Sequence, residues 1–415
     1  MKQQEIPRQR AVLVGIDTGE YDLHQSLDEL SELADTAGAE VLERFFQSRP
    51  TQDNATWIGG GKLREIRDFC EREGAELLIF DGELSGSQLR NIEEITGLDV
   101  VDRTMLILDI FAQRAVSSEG KLQVELAQQK YLLPRLIGMG QALSRQGGGI
   151  GTRGPGETKL ESDRRHIRRR ITALEAQLKE MEKRRALLRR RREKNEVPVI
   201  AIVGYTNVGK STLLNRLTDS SIYAKDQLFA TLDPTARELV LPDGQKAILI
   251  DTVGLIQRLP HQLIEAFKST LEVAADADVI LNVCDFSNLL SRHQLEVTQQ
   301  LLAELGCGDI PTLTVYNKID LSPVRPVPIR GSRVVYISAQ QGTGISKLLN
   351  KICEALSESV RQYALLLPYT QGGLLDQIRR NGRILSEKYE PEGIAVTAIL
   401  HKRYHHLVAP YLISE

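Results

Sequence analysis

The sequence predicts a multidomain α/β protein. It has an N-terminal α/β domain with a trailing helix, a helical linker, a central domain on a mostly parallel doubly wound sheet, and a small C-terminal α+β domain. Three observations carry that reading. Short apolar runs alternate with amphipathic helical periods up to about residue 105, and the same alternation restarts at Val199. Between them lies a stretch of different texture, first glycine-rich and then crowded with arginine and lysine. At 415 residues the chain is too long for one ordinary core, and it divides into 1–140, 141–196, 197–362 and 363–415.

In the first region AVLVGI (11–16), EVLERFF (40–46), ELLIF (76–80) and LDVVD (98–102) read as strands. Leucines 23, 27, 30 and 33, then Leu63, Ile66 and Phe69, then Leu89, Ile92 and Ile95 mark the helices between them. Strand and helix thus alternate at βαβ spacing, which predicts a mostly parallel sheet. Residues 103–145 read as helix with Leu122, Leu126, Gln129 and Leu133 on one face. The run GGGIGTRGPGE (147–157) is too rich in glycine and proline for helix or strand. From 158 to 195, Ile167, Ile171, Leu174, Leu178, Met181 and Leu188 fall at three- and four-residue steps, which predicts an αα-hairpin or a long helix pair. At the C-terminal end, ALLLP (364–368), a helix from Gly372 to Arg380, strands near 384–389 and 393–400 and a final helix complete a domain of about fifty residues.

Composition narrows the function classes. Apolar residues make up 41% and charged residues 26%, the balance of a soluble globular protein. A formal charge of −2 favours neither nucleic acid nor membrane in bulk, although an average hides local patches. Cys70, Cys284, Cys307 and Cys353 lack paired metal spacing and are too few for a disulfide framework. The opening MKQQEIPRQR has no apolar core of a signal peptide, and no run reaches the ~18 apolar residues of a membrane span. A cytoplasmic protein without a membrane anchor, monomeric when free, is expected.

The chemistry concentrates after residue 200. Gly204-Tyr205-Thr206-Asn207-Val208-Gly209-Lys210-Ser211 matches GxxxxGK[ST] between a buried strand, VIAIVG, and an amphipathic helix. Such a loop turns successive backbone N–H groups and a helix N-terminus toward a diphosphate. Lys210 adds a point charge at the β- and γ-phosphates and belongs to the catalytic set, and the Ser211 hydroxyl is a hard oxygen for Mg²⁺. Asp251-Thr252-Val253-Gly254 closes a second strand, KAILI. There Asp251 can hold Mg²⁺ through water, and the Gly254 N–H can sense a γ-phosphate. Asn317-Lys318-Ile319-Asp320 follows a third strand, TLTVY, and an aspartate there accepts from guanine N1 and N2, which adenine cannot match. Ser338-Ala339-Gln340 follows a fourth strand, VVYI, with a backbone N–H for guanine O6. Each motif ends a strand, where open α/β sheets bind ligands, so together they predict GTP as the nucleotide.

The first switch must supply a Mg²⁺-sensing threonine. Phe229-Ala230-Thr231-Leu232-Asp233 offers Thr231, favoured over Thr235 because Asp233-Pro234 opens the next strand. Residue 255 is leucine, where a Ras-like arrangement has a water-orienting glutamine, so hydrolysis should be slow and the water-positioning group is left unassigned. Asn207 either holds K⁺ in the place of an arginine finger or only caps loop backbone.

With these motifs in place, the run GGGIGTRGPGETKLESDRR (147–165), the basic helical segment after it, GYTNVGKS, FATLDPT and DTVGLI resemble the HflX family of GTPases over nearly the whole chain. The departures are Leu255, often Phe in that family, and SAQQGTG at the guanine loop. The resemblance implies binding to rRNA of the large ribosomal subunit, splitting or rescue of stalled ribosomes, and hydrolysis stimulated by the subunit. It also admits a fraction peripheral to ribosomes, including membrane-bound ones.

Independently of it, residues 160–196 carry fourteen Arg and Lys against seven acidic residues, and Arg189 to Arg192 are consecutive. Such a stripe can neutralise RNA phosphates or be a solvated helix laced with i,i+4 pairs; four adjacent arginines cannot all find acidic partners, which tilts toward RNA. The GxGxxG match at Gly149–Gly154 follows no strand and is not read as a dinucleotide site; a hinge or an RNA-inserting loop carrying Arg145 and Arg153 fits better. A GTP-regulated RNA-remodelling or RNA-processing factor is the alternative, but no acid–base or metal cluster stands out beyond residues 197–360, and His401, His405 and His406 read as surface histidines. A membrane GTPase lacks a lipidation motif or spanning segment.

Overall fold

A computed structural model describes residues 8–143, 155–193, 197–218, 235–252, 254–256, 274–288, 290–324, 326–327, 331–401 and 404–413. The chain forms two compact units, one centred on Met1–Met181, the other holding Glu182–Ala224, Pro234–Leu255 and Thr270–Glu415.

The first unit contains a four-stranded parallel sheet in the order β2-β1-β3-β4, formed by β1 (Gln9–Asp17), β2 (Ala39–Ser48), β3 (Leu77–Phe80) and β4 (Asp99–Asp102). Helices α1 (Leu23–Ala37), α2 (Gly60–Glu73) and α3 (Gly86–Thr96) connect them. Local chemistry sets the helix starts: Asp22 accepts from the Gln25 N–H, and Ser85 and Gln88 form a reciprocal capping box. Of the predicted apolar positions Leu27, Leu30, Leu33, Leu63, Ile66 and Ile92 are buried, Phe69 and Leu89 are partly buried, and Ile95 is exposed instead.

The helical part differs from the sequence expectation in four ways. The expected helix over 103–145 is two helices, α4 (Arg103–Arg114) and α5 (Ser118–Leu143), separated where the Ser117 hydroxyl accepts from the Gly120 N–H at 2.9 Å. The buried face of α5 is Gln123, Val124, Ala127 and Tyr131, joined by Leu126, rather than the face through Leu122, Gln129 and Leu133. Asp102 explains this orientation. It caps α4 through the Met105 N–H at 2.9 Å, accepts from the Tyr131 hydroxyl, and pairs with Arg135 at 3.3 Å. Finally, no hairpin lies within 158–195: α6 is one helix, Pro155–Glu193, so Pro155, Gly156 and Glu157 belong to helix, with proline at a first-turn position that needs no N–H.

α6 pairs instead with α5, through Arg170 to Glu125 at 2.6 and 2.7 Å and Lys130 to Glu175 at 3.0 Å. Those exposed ion pairs contribute roughly 0–1 kcal/mol each, whereas burying Leu174 of α6 completely contributes about 1.5–3 kcal/mol. The remaining glycine-rich residues 147–154, with Arg145 and Arg153, lie outside the described residues.

In the second unit β5 (Val199–Gly204), α7 (Lys210–Thr218), β6 (Thr235–Val240), β7 (Lys246–Asp251), β8 (Val279–Asp285), α8 (Ser291–Glu304), β9 (Thr312–Asn317), β10 (Val334–Tyr336) and α9 (Ile345–Ser359) build the central domain. Its six-stranded sheet runs β10-β9-β8-β5-β7-β6, all parallel except β6 against β7. The motif-by-motif reading passes over β8, yet VILNVCD is buried along its whole length and sits between β5 and β9. The chain leaves β5 toward β7 on one side and β8 on the other, so this is the topological switch point where such sheets bind ligands. Gly204 lies there, and a Cβ on it would stand 2.2 Å from the Val283 carbonyl oxygen.

The C-terminal sheet is antiparallel, β11 (Val360–Leu367), β13 (Gly393–His401) and β12 (Gly382–Glu390) in that order, with α10 (Gly372–Asn381) packed on it through Leu375 and Ile378. The predicted final helix is a single turn, α11 (His405–Val408); His405 is exposed, its ring tilted over Tyr363.

Candidate functional site

β5 delivers the chain into a loop that wraps to the first turn of α7. Asn207 holds a left-handed backbone at φ 58°, which asparagine tolerates better than most residues, and Gly209 follows at φ 90°. A Cβ at Gly209 would lie 2.4 Å from Asn317 Nδ2, so only glycine lets the two loops approach. Asn207 is exposed, and among the described residues its side chain has no hydrogen-bond partner.

Lys210 is buried. Its Nζ donates to the carbonyls of Gly204 at 3.2 Å and Tyr205 at 2.7 Å. Burial pulls its pKa from 10.5 to about 8, partly offset by the Asp251 carboxylate. Ser211 Oγ donates to Asp251 Oδ2 at 2.8 Å, which brings a hydroxyl and a carboxylate from two elements together at the same edge. Both are hard oxygen donors, the set that magnesium takes. Thr252 faces inward, its hydroxyl donating to the Ile202 carbonyl at 2.7 Å.

Leu255 is stitched to the loop by backbone: its N–H donates to the Gly204 carbonyl at 3.1 Å, and its carbonyl accepts from the Thr206 N–H at 2.7 Å.

At the other end of the site Asn317 joins three loops. Its Nδ2 donates to the Val208 carbonyl, and its Oδ1 accepts from the Ala339 N–H, both at 2.9 Å. Ser338 braces its own loop: its carbonyl accepts from the Gly342 N–H at 2.8 Å and its hydroxyl from the Gln341 N–H at 3.1 Å. Ile319 and Asp320 are half-buried beside it, with the Ile319 N–H on the Ile337 carbonyl at 3.3 Å.

Three features here are invisible to motif reading. Lys318 adopts φ 60° and pairs with Asp285 of β8 at 2.8 Å, so a residue of the overlooked strand fixes the lysine. Arg216 of α7 donates to the Ala339 carbonyl at 3.0 Å and the Gln340 carbonyl at 2.5 Å. Phe286, Tyr316 and Tyr336 cluster with ring centroids 5.3–5.8 Å apart.

Gly204 to Ser211, Asp251, Thr252, Gly254, Asn317 to Asp320 and Ser338 to Gln340 therefore gather at one sheet edge. Phe229, Ala230, Thr231, Leu232, Asp233 and Val253 lie outside the described residues. Thr235 opens β6 opposite Asp251 in the ladder.

Comparison with known proteins gives the family. The model described as GTP-binding GTPase N-terminal matches residues 24–112, GTP-binding GTPase Middle Region matches 114–192, and 50S ribosome-binding GTPase matches 199–318. GTPase HflX of Caldanaerobacter subterraneus subsp. tengcongensis is 51% identical over 391 residues, covering 94% of this chain and 91% of that protein. The chain belongs to the HflX family of GTPases. GTPase HflX of Escherichia coli is 43% identical over 390 residues, covering 93% of this chain and 92% of the relative. A GDP-bound GTP-binding protein from Sulfolobus solfataricus aligns at 27% identity and TM-score 0.45, covering 84% of this chain and 99% of that one. As an HflX-family member the protein is a P-loop GTP hydrolase, of a class that generally uses Mg²⁺. Among the described residues no helix is long and apolar enough to cross a membrane.

Proposed function

We propose that this GTPase uses its nucleotide as a switch for docking on rRNA of the large ribosomal subunit, where it splits or rescues stalled ribosomes. The observation that carries the reading is the α5–α6 pair, a long arm that displays Arg165, Arg168, Arg169, Lys179, Lys183 and Arg184 to solvent and continues into Arg189–Arg192. A charge stripe of that length can track RNA phosphates. The description of the family model over 199–318, 50S ribosome-binding GTPase, supports the same partner.

In this reading the backbone from Gly204 to Gly209 cradles the α- and β-phosphates, and Lys210 reaches the β- and γ-oxygens. Ser211 and Thr231 would hold Mg²⁺, with Asp251 supporting it through water. Magnesium, when bound, neutralises charge on the β- and γ-phosphates. Gly254 N–H meets the γ-phosphate, and Phe229 to Asp233 with Thr252 and Val253 form the segments that respond to it. Asp320 accepts from guanine N1 and N2, and the Ser338–Gln340 loop faces O6. Asn207, unengaged by the described residues, is free to help hold K⁺. The free protein is a cytoplasmic monomer, and subunit contact raises a slow basal hydrolysis.

Sedimentation with purified subunits tests this. With a non-hydrolysable GTP analogue the protein should travel with the large subunit, and with GDP it should not. Co-sedimentation with neither subunit, or equal binding in both states, would reject the ribosomal switch.

A further inference from the structure

We infer that Arg216 is a positioning residue for guanine specificity, holding the Ser338–Gln340 loop to the helix that starts at the phosphate end of the site. The inference rests on the reading of that loop as the guanine loop. Lys210 and Ser211 open α7, and Arg216 lies less than two turns further along it. Its guanidinium reaches across to the base end, with Nε on the Ala339 carbonyl at 3.0 Å and a terminal nitrogen on the Gln340 carbonyl at 2.5 Å. Gly342, at φ 81°, sits against the same guanidinium, since a Cβ there would be 3.5 Å from Arg216 Cζ.

Ala339 is thereby gripped from both sides, its N–H by Asn317 and its C=O by Arg216. These two groups lie on the two peptide planes that flank the Ala339 Cα, so both planes keep one orientation. The Gln340 N–H, on the plane whose carbonyl Arg216 holds, is consequently aimed before any base arrives, so the loop gives up little entropy on binding. A planar fork with two donors spans two carbonyls; a single ammonium group cannot.

The test compares GDP with 2-aminopurine riboside diphosphate, which lacks the 6-oxo group, in the full-length protein and in R216A and R216K. The native protein should prefer GDP. R216A should release GDP about tenfold faster and lose about tenfold of that preference, the scale of a charge-assisted hydrogen-bond pair, while its affinity for the aminopurine nucleotide stays within about twofold. R216K should fall between. Equal weakening of both nucleotides in R216A and R216K would mean that Arg216 only stabilises the fold, and unchanged preference would remove it from recognition altogether. Should R216A fail to fold, R216K alone decides between these outcomes. A native protein indifferent to the 6-oxo group would instead overturn the assignment of the guanine loop, and with it this role.

Discussion

Raising the pH should weaken nucleotide binding through one buried lysine. Lys210 is 7% exposed, and burial brings its pKa down to about 8. Phosphate oxygens set against Nζ favour the charged form and return the pKa toward its ordinary range, so binding above pH 8 must take up a proton. At pH 7 the lysine is charged before binding; at pH 8.5 about one quarter is, so GDP should bind about fourfold more weakly. Proton uptake should approach roughly three-quarters of a proton per nucleotide at that pH. Calorimetry in two buffers of different ionisation enthalpy measures both quantities, kept below the pH at which guanine N1 itself ionises. Without nucleotide the sign reverses. The folded state prefers neutral lysine, so this group makes stability rise from about pH 8 toward the 10.5 of the free side chain. A flat affinity with no proton uptake at pH 8.5 would show that Nζ stays charged in the free protein and that the burial argument fails.

Further outcomes follow from the same geometry. Asp320→Asn should weaken GTP and improve xanthosine triphosphate, read by competition binding, because the donor–acceptor pattern facing the base is exchanged. Asn317→Ala removes both 2.9 Å bridges and leaves two buried backbone groups unpaired, at about 1–3 kcal/mol each, which should lower the melting temperature of the central domain by several degrees and abolish measurable GDP binding. If Asn207 helps hold K⁺, hydrolysis should run faster in KCl than in NaCl at equal ionic strength, and Asn207→Ala should erase the difference. Replacing Arg189, Arg190, Arg191 and Arg192 with Gln should weaken large-subunit binding and flatten its salt dependence, by a slope of up to about 0.9 per lost phosphate contact, while basal hydrolysis stays near native.

Much of this was legible because certain motifs encode backbone geometry. GxxxxGK[ST] after a buried strand specifies strand, loop and helix at once, and β5, the loop and α7 follow it residue for residue. β8 escaped because VILNVCD carries no such motif, and burial on both faces leaves no alternation to read. The continuity of α6 had a signal, since after Gly156 no glycine or proline interrupts it up to Glu193. The break before α5 had one too, in Ser117 three residues ahead of Gly120. The face that α5 buries had none, because Tyr131 turns inward to meet Asp102, a partner 29 positions away. Arg216 and Asp285 are equally opaque, since an arginine on a helix and an aspartate at a strand end acquire their roles only when folding sets a particular carbonyl or ammonium opposite them.

Leu255 shows how that folding constrains the chemistry. In a Ras-like site the side chain at this position turns to the attacking water. Here the backbone on either side is already committed, since the Leu255 N–H is held by the Gly204 carbonyl and its C=O by the Thr206 N–H. Its side chain is 5% exposed, packed where a leucine belongs. A glutamine in that place would either bury an unpaired amide, at about 1–3 kcal/mol, or break the stitch between the two loops to reach solvent. A simple exchange of side chain therefore does not recreate a water-orienting group, and the residue that orients water must come from a different segment or from the partner surface. On the proposed reading, the same stitch ties the segment that would meet the γ-phosphate to the loop that would hold the β-phosphate. A displacement of Gly254 would be resisted by two backbone hydrogen bonds one residue away.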